Sequence, residues 1–293
     1  MGKLQQIASG PGLVFDVLTD GPADAPLVLM LHGASESFHM WRDQLPALAA
    51  AGFRAVAPSQ RGYSAGARPP TGDVASYAID LLMADAMAIA AACGHGERRF
   101  HLVGHDWGGS IAWGIADKHP GRLASLTVLS RPHPTAFNRA LALPDGEQAQ
   151  RSRHHKAFLA PDAGALLLAD GARRLRERWD ASGLSAAAIE AHLAVIGDPA
   201  AMEGMLAWYR ARGALRAPLG PIRVPTLYIW GEADDTVGRA AAEGTRDFIT
   251  GDYRLATLPG VGHFVADQAP ERVNELLLAH LRANCELRIA NSE

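Results

Sequence analysis

Runs of apolar residues recur through the first half of the chain with helical stretches between them. Residues 27–31 are continuously apolar, which is typical of a strand buried on both faces, and residues 126–129 (Leu-Thr-Val-Leu) are a further candidate for a buried strand. Residues 53–58 form another strand candidate, and apolar residues at helical spacing mark 41–51 and 76–93. This alternation of strand and helix predicts a parallel sheet with helices on both faces.

The strand rhythm is interrupted in the second half of the chain. Residues 134–218 contain no apolar strand run, only helical stretches rich in Ala, Arg and Leu. Strands resume at 225–231 and 253–258, and a helix follows. We therefore predict an α/β fold with a core made of 1–133 and 219–293. The helical insertion 134–218 is predicted to form a cap, or lid, over the carboxyl edge of the sheet, where ligands bind in such folds.

The composition narrows the class of protein further. The 293 residues are 48% apolar and 20% charged, which is ordinary for a soluble globular protein. A net charge of −3 argues against nucleic acid as a partner, and no apolar run is long enough to span a membrane. Cys93 and Cys285 have no metal-site spacing, and no signal peptide is recognisable. We expect a cytoplasmic monomer or homodimer that acts on a small molecule.

The segment 100–110 combines closely spaced glycines with a central carboxylate. An apolar pair leads into Gly104-His105-Asp106-Trp107-Gly108, and a helical stretch follows. A strand, then Gly-x-nucleophile-x-Gly, then a helix is the pattern of a nucleophile elbow, in which the central residue is usually serine. Aspartate is already ionised at neutral pH and needs no base to attack. The alternative role of Asp106 is to cap the following helix.

Two more ionisable residues follow predicted strands later in the chain. Asp234 comes after the strand 225–231, and His263 comes after the strand 253–258. The order Asp106, Asp234, His263 matches nucleophile, acid and base in α/β-hydrolases. Asp235 is a rival for the acid, and a surface histidine is the alternative for His263.

These features resemble the α/β-hydrolase superfamily, and specifically its aspartate-nucleophile branch of epoxide hydrolases and haloalkane dehalogenases. The resemblance is firmest over 26–130 and 220–282. It implies that Asp106 attacks a saturated carbon and forms an alkyl ester, without a cofactor. Water activated by His263 would then cleave the ester, while Asp234 holds the imidazole in place. A serine esterase is disfavoured because no Gly-x-Ser-x-Gly follows a strand.

The segment His32-Gly33-Ala34 resembles the oxyanion turn of this family. By that resemblance, the backbone N–H groups of Ala34 and Trp107 would bind the oxygen of the tetrahedral intermediate. Many epoxide hydrolases have proline two residues after the glycine, where this chain has Ser35. Trp107 is also a candidate pocket wall, and in related dehalogenases an indole there helps to hold the halide. Trp107 therefore does not separate the two activities.

The cap decides between the two activities, because opening an epoxide leaves an alkoxide that requires a proton. Epoxide hydrolases of this type use two lid tyrosines, and Trp208-Tyr209-Arg210 resembles the motif that carries the second. Tyr209 could instead be a buried cap residue. His154, in a register uncertain by one residue, stands where the first tyrosine is expected. We expect an epoxide hydrolase. The alternatives are a haloalkane or haloacid dehalogenase and, more remotely, a non-catalytic ligand receptor.

The expected substrate is small and largely hydrophobic. Trp107 of the core and Trp208 of the cap, with other apolar cap residues, are predicted to line its pocket, although the cap residues could equally pack in the interior of the cap. Phe264, directly after His263, and His154 are the remaining predicted substrate contacts.

Overall fold

The computed structural model describes residues 2–9, 12–212 and 219–286. Residues 213–218 of the predicted cap lie outside the described residues. So do residues 1, 10, 11 and 287–293 of the predicted core.

Eight strands form a single sheet. They are β1 (Lys3–Ala8), β2 (Val14–Asp20), β3 (Leu27–Leu31), β4 (Arg54–Pro58), β5 (Phe100–His105), β6 (Leu123–Leu129), β7 (Thr226–Gly231) and β8 (Tyr253–Leu258). Their spatial order is β1-β2-β4-β3-β5-β6-β7-β8. The strands β3 to β8 pair in parallel, whereas β2 pairs antiparallel with both β1 and β4. The predicted, mostly parallel sheet is confirmed.

The described residues also form α-helices that connect and cover these strands. They are α1 (Gln44–Ala50), α2 (Ile79–Ala90), α3 (Trp107–Lys118), α4 (Pro134–Leu141), α5 (Glu147–Arg151), α6 (His154–Ala157), α7 (Ala163–Ala181), α8 (Ala186–Ile196), α9 (Pro199–Ala211), α10 (Arg239–Gly244), α11 (Val265–Gln268) and α12 (Pro270–Glu286). Among the residues described, no helix is both long and apolar enough to cross a membrane.

The first predicted helix is shorter than the sequence pattern indicated. The pattern placed a helix over 41–51, but α1 begins at Gln44 and a short 3-10 helix, Phe38–Trp41, precedes it. Pro46 explains the start of α1. Proline has no N–H to donate, and it is tolerated in the first turn of a helix, where N–H groups have no helical acceptor.

The sheet is buried on both faces. Every residue of β3 and β5 is buried. One apolar cluster packs α2 and α3 on one side, through residues such as Leu82 and Ile111. A second cluster packs α1 and α12, through residues such as Leu45 and Leu276. The continuous apolar runs of the sequence arise from this two-sided burial.

The six helices α4 to α9 follow β6 and precede β7, and no strand occurs in the described part of this segment. Hydrogen bonds join it to the strand-end loops. The Trp208 indole N–H donates to the carbonyl of Arg61 at 3.0 Å, and the N–H of Ser37 donates to His192 Nδ1 at 3.1 Å. The division of the chain into a core and a separate cap stays a prediction.

Candidate active site

Asp106 lies between β5 and α3 in a backbone conformation that is rare for a residue with a side chain. Its φ is 47° and its ψ is −113°. A Cβ on Gly104 would lie 2.4 Å from the carbonyl oxygen of Gly108, and a Cβ on Gly108 would lie 2.2 Å from that of Leu31. Glycine is therefore required on both sides of this turn. The Asp106 side chain makes no capping hydrogen bond to α3, so the alternative role as a helix cap is not observed.

His263 lies between two carboxylates, one at the end of β5 and one after β7. Its Nδ1 is 3.0 Å and 3.1 Å from the two carboxylate oxygens of Asp234. Its Nε2 is 3.7 Å from Oδ2 of Asp106. All three side chains are buried. The structure thus brings together the three residues that were predicted to form the catalytic set.

Asp234 and its rival Asp235 occupy different environments. The Asp234 side chain is fully buried, and its Oδ1 accepts hydrogen bonds from the N–H groups of Thr236 at 2.7 Å and Val237 at 2.9 Å. The Asp235 side chain is 64% exposed and pairs with Arg178 at 3.1 Å. Asp234 is therefore the carboxylate held against His263.

Attraction to nearby basic groups keeps the Asp106 carboxylate ionised. Burial alone would raise its pKa. His263, Arg131 and His105 outweigh that effect by attraction, the N–H of Ala34 adds to it, and the pKa of Asp106 is lowered to about 2. The Ala34 N–H donates to Oδ1 at 3.1 Å. The Trp107 N–H is at the first position of α3, where backbone donors have no acceptor within the helix.

Ser35 departs from the proline of many epoxide hydrolases in backbone as well as in side chain. Its φ is 58°, a left-handed value, whereas proline fixes φ near −65°. Proline could not adopt this conformation. The turn nevertheless directs the Ala34 N–H at Asp106, so the predicted donor is in place.

Tyr209 faces the elbow from α9. Its side chain is buried, and its ring lies edge-on to Trp107, with the ring centroids 5.1 Å apart. Burial, reinforced by the negative charge of Asp106, raises the pKa of Tyr209, so its hydroxyl stays protonated at neutral pH. Tyr209 is therefore a buried residue of α9 with a protonated hydroxyl near the elbow, and its role as the lid acid stays a prediction.

The two histidines of α6 have different surroundings. The His155 ring lies 5.6 Å from that of Tyr209, and its Nδ1 accepts a hydrogen bond from Arg212 at 2.9 Å. His154 donates from Nδ1 to the carbonyl of Arg151 at 3.0 Å. Its ring packs against Phe158 at 5.5 Å. Of these two histidines, His155 is the one whose ring contacts Tyr209, and it lies one residue beyond the predicted position. The role of His154 stays a prediction.

Trp208 and Phe264 differ in their position relative to the open space of the site. Trp208 helps to line a cavity of about 240 Å³ beside Trp107. Phe264 does not line this cavity. Its ring packs against His263 at 5.4 Å and against His105 at 6.4 Å. Phe264 therefore packs against His263, and its role as a substrate contact stays a prediction.

A buried ion pair lies behind the triad. His105 Nδ1 is 2.9 Å from Glu36 Oε2, and His105 Nε2 donates to the carbonyl of His263 at 2.9 Å. Burial opposes the charge on the His105 imidazole, but attraction to Glu36 outweighs burial and raises its pKa to about 9. The raised pKa favours a positively charged His105 imidazole beside Asp106 at neutral pH. The sequence hinted at this pair only by placing His105 in a strand that is predicted to be buried, and it did not indicate Glu36 as the partner.

Glu36, His192 and Asp267 are the one set of described residues that could offer three ligand atoms to a metal, since these atoms lie within 4.8 Å of one another. Two of them already have cationic partners: Glu36 is paired with His105, and Asp267 lies 2.5 Å from Arg42. Burial and the nearby Glu36 charge raise the pKa of Asp267 well above its usual value. The two cations already compensate the charge that would attract a metal ion, so the cluster is better explained as internal support for the site.

Comparison with known proteins places this geometry among hydrolases. A family profile described as the alpha/beta hydrolase fold matches residues 26–270. Epoxide hydrolase A of Mycobacterium tuberculosis is 30% identical over 97% of this chain and 98% of its own length. Mouse epoxide hydrolase 4 is 30% identical over 92% of this chain and 77% of its own length. A solved structure of a novel epoxide hydrolase from hot-environment metagenomes has a TM-score of 0.84 at 31% identity, covering 96% of this chain and 99% of that one.

Proposed function

This chain belongs to the α/β-hydrolase family, and on that premise we propose that it opens an epoxide to a vicinal diol through an ester on Asp106. The observation that carries the proposal is the arrangement around this carboxylate. Asp106 is ionised and faces the His263–Asp234 pair on one side. On the cap side, the protonated hydroxyl of Tyr209 is available to the leaving oxygen.

The first step is attack by Asp106 on an epoxide carbon. The Ala34 N–H holds Oδ1, so Oδ2 is the oxygen free to form the new C–O bond. As that bond forms, the ring C–O bond breaks and its electron pair stays on the ring oxygen. Tyr209 donates its proton to this oxygen, because an alkoxide is a stronger base than a phenolate. The product of this step is a hydroxyalkyl ester of Asp106.

The second step is hydrolysis of the ester. His263 Nε2 takes a proton from water as that water attacks the ester carbonyl, and Asp234 stabilises the imidazolium that forms. The charge of the tetrahedral intermediate develops on Oδ1, which already accepts the N–H of Ala34. The Trp107 N–H is the second donor in this proposal. Collapse of the intermediate breaks the bond between the acyl carbon and the alkyl oxygen, and the diol leaves with a proton from His263. The second proton of the attacking water remains on the Asp106 carboxyl group, and its transfer through solvent to the Tyr209 phenolate restores the carboxylate and the phenol.

A dehalogenase would use the same ester but would not need a proton donor on the cap, since halide is a good leaving group. The buried and protonated Tyr209 therefore favours epoxides over haloalkanes. The proposed substrate is a small, largely hydrophobic epoxide, because two indoles and the Phe137 ring line the adjacent cavity.

The test is the intact mass of His263→Gln after incubation with styrene oxide or with 1-bromohexane. We expect an adduct with the full mass of the epoxide, mapped to the peptide containing Asp106. The double variant His263→Gln, Asp106→Asn is the control and should stay unmodified. Bromide release with an alkyl adduct would instead establish a dehalogenase, and no adduct with either compound would contradict ester chemistry.

A further inference from the structure

The cavity beside the elbow lies between α3 and α9. Trp107 and Ser110 of α3 line one side, and Trp208 and Ala211 of α9 line another. Trp107 directly follows the nucleophile, and Trp208 directly precedes Tyr209. This space of about 240 Å³ is therefore lined by a sequence neighbour of each group that acts on the epoxide in the proposed function, and not by Asp106 or Tyr209 itself.

Arg131 lines this cavity from the loop after β6, and several contacts fix its position. Ser130, directly before it, has a left-handed φ of 50°, which turns the chain sharply at the end of the strand. The carbonyl of Arg131 accepts a hydrogen bond from the Trp113 indole at 3.0 Å. A Cβ on Gly109 would lie 2.8 Å from Cβ of Arg131, so this glycine leaves room for the arginine stem.

The Arg131 guanidinium is buried without a carboxylate partner. The residue is 7% exposed, and its buried Nε–H has no hydrogen-bond acceptor within the described residues. Within the same residues, no carboxylate lies within salt-bridge distance of it, and the segment 213–218 contains neither Asp nor Glu. Arginine stays protonated in proteins, and a buried charge is costly unless an opposite charge or hydrogen bonds compensate it.

Two guanidinium groups, those of Arg131 and Arg212, lie beside the ring of Phe137. The guanidinium carbon of Arg131 is 4.6 Å from the ring centroid of Phe137, and that of Arg212 is 5.6 Å from it. Arg212 also lines the cavity and is exposed, while it donates to His155. Two cations beside one aromatic ring repel each other, and an anion within reach of both would relieve that repulsion.

The carboxylates near the cavity do not supply that anion. Asp80 lines the cavity, but its side chain is 67% exposed and is paired with Lys118 at 2.7 Å. Asp106 does attract Arg131, as the lowered pKa of Asp106 records. In the proposed reaction, however, the charge of Asp106 disappears when the ester forms. A carboxylate on the substrate would keep Arg131 paired through the whole cycle.

We propose that Arg131, with Arg212 at the cavity wall, binds a carboxylate of the substrate. This inference rests on the proposed function and narrows its substrate class to epoxides that carry one carboxylate on an apolar frame. The planar guanidinium donates two parallel N–H groups to a carboxylate, which gives orientation as well as affinity. The apolar frame would lie against Trp107, Trp208 and Phe137, with the epoxide directed towards Asp106.

The test compares 3-phenylglycidate with 3-phenylglycidamide, which have nearly the same shape but differ in charge. We expect the wild-type protein to favour the carboxylate at least about tenfold in kcat/KM, chiefly through KM. Arg131→Gln should lower this carboxylate-to-amide ratio by about 10- to 100-fold, and Arg131→Lys by less. Because both substrates are measured on the same variant, a loss of folded protein cancels in the ratio.

Arg139→Gln is the matched control, because it removes the same charge from α4. Its side chain is 53% exposed and paired with Asp247, and it does not line the cavity, so the ratio should not change. Turnover of styrene oxide without any preference for the carboxylate would overturn the inference while leaving the proposed function intact. An unchanged ratio in Arg131→Gln would overturn the assignment to Arg131.

Failure of the proposed function would look different, since no epoxide, styrene oxide included, would then be turned over. Calorimetric titration with 3-phenylpropanoate, which has no epoxide, tests the anion site by itself. Binding to the wild-type protein that is lost in Arg131→Gln would support the site, and equal or absent binding to both would contradict it.

Discussion

The two sides of the site are held in place by different parts of the fold. On the sheet side, Asp106, Asp234 and His263 each follow a strand, and the parallel register of β5, β7 and β8 brings them together at one edge. On the cap side, Tyr209 and His155 meet through packing between separate helices. In the proposed mechanism, the groups that make and cleave the ester therefore stand on the rigid sheet. The groups that select the bond to be broken stand on the insertion, where substitution leaves the sheet intact.

The largest effect is expected on the sheet side, from Asp106→Asn. A neutral amide is a poor nucleophile, so epoxide turnover should fall by at least about 10⁴-fold. The measurement is the initial rate of diol formation. Asp106→Ala serves as a second variant, because its side chain cannot be hydrolysed back to aspartate. Turnover within about tenfold of the wild-type rate in both variants would remove Asp106 from the mechanism.

Asp234→Asn should slow hydrolysis of the ester by about 10³- to 10⁴-fold, since the imidazolium loses its negative partner and the imidazole its orientation. Formation of the ester should be much less affected, so a burst of one equivalent should precede slow turnover. Rapid-quench kinetics separate the two steps. Asp235→Asn is the neighbouring control and should show neither change, whereas an effect there equal to that of Asp234→Asn would contradict the assignment.

Tyr209→Phe tests the cap side. Loss of the hydroxyl removes the proton donor, so formation of the ester from an epoxide should slow by about 10- to 100-fold. Hydrolysis of the ester, once formed, should keep its wild-type rate, because that step belongs to His263 and Asp234. Single-turnover measurements of both steps check this division. Equal slowing of the two steps would mean that Tyr209 acts through packing rather than as an acid.

His154→Gln and His155→Gln form a matched pair on α6. The ring contact with Tyr209 predicts the larger effect at His155, a several-fold slowing of ester formation. The sequence comparison, which puts His154 where the first lid tyrosine is expected, instead predicts the larger effect at His154. Burial lowers the pKa of both imidazoles, so both are expected to be neutral at pH 7 with one N–H each. His154 already donates its N–H to the Arg151 carbonyl, whereas His155 has its N–H on Nε2 because its Nδ1 accepts from Arg212. Rates of ester formation in the two variants decide which histidine assists, and equal rates in both variants and the wild type would exclude assistance by either.

The smallest effect is expected from lowering the pH, which acts on the rate of ester formation through protonation of Asp106. Because the pKa of Asp106 is depressed to about 2, the carboxylate remains ionised well below neutral pH. Protonation of Asp106 should therefore slow ester formation by less than about twofold between pH 7 and pH 5. Rapid-quench measurement of this step in the wild-type protein tests the point. A titration with a midpoint above pH 5 that vanished in Asp106→Asn would contradict it.

The sequence pattern predicted the sheet side in detail and the cap side only in outline. A nucleophile elbow is local, because Gly104 and Gly108 are dictated by backbone contacts within a few residues and with β3. The pairing of His105 with Glu36 joins residues distant in sequence, so no local spacing could reveal it. Which of His154 and His155 faces Tyr209 depends on how α6 packs against α9. A shift of one residue along α6 would exchange the two histidines.

The sequence pattern did not identify Arg131 as a site residue. Its significance comes from burial and from the ring of Phe137, both of which are properties of the folded chain. Likewise, the sequence does not reveal the left-handed φ of Ser35 and Ser130, because residues other than glycine usually avoid that region.

The most direct test of the ester mechanism is a single turnover in ¹⁸O-water with enzyme in excess over styrene oxide. If Asp106 forms the ester and water attacks its carbonyl, the diol of the first turnover contains no ¹⁸O and the label enters the Asp106 carboxylate. Mass spectrometry of the diol and of the peptide that contains Asp106 measures both. Label in the first-turnover diol, with none in Asp106, would show direct attack of water on the epoxide and would contradict the account.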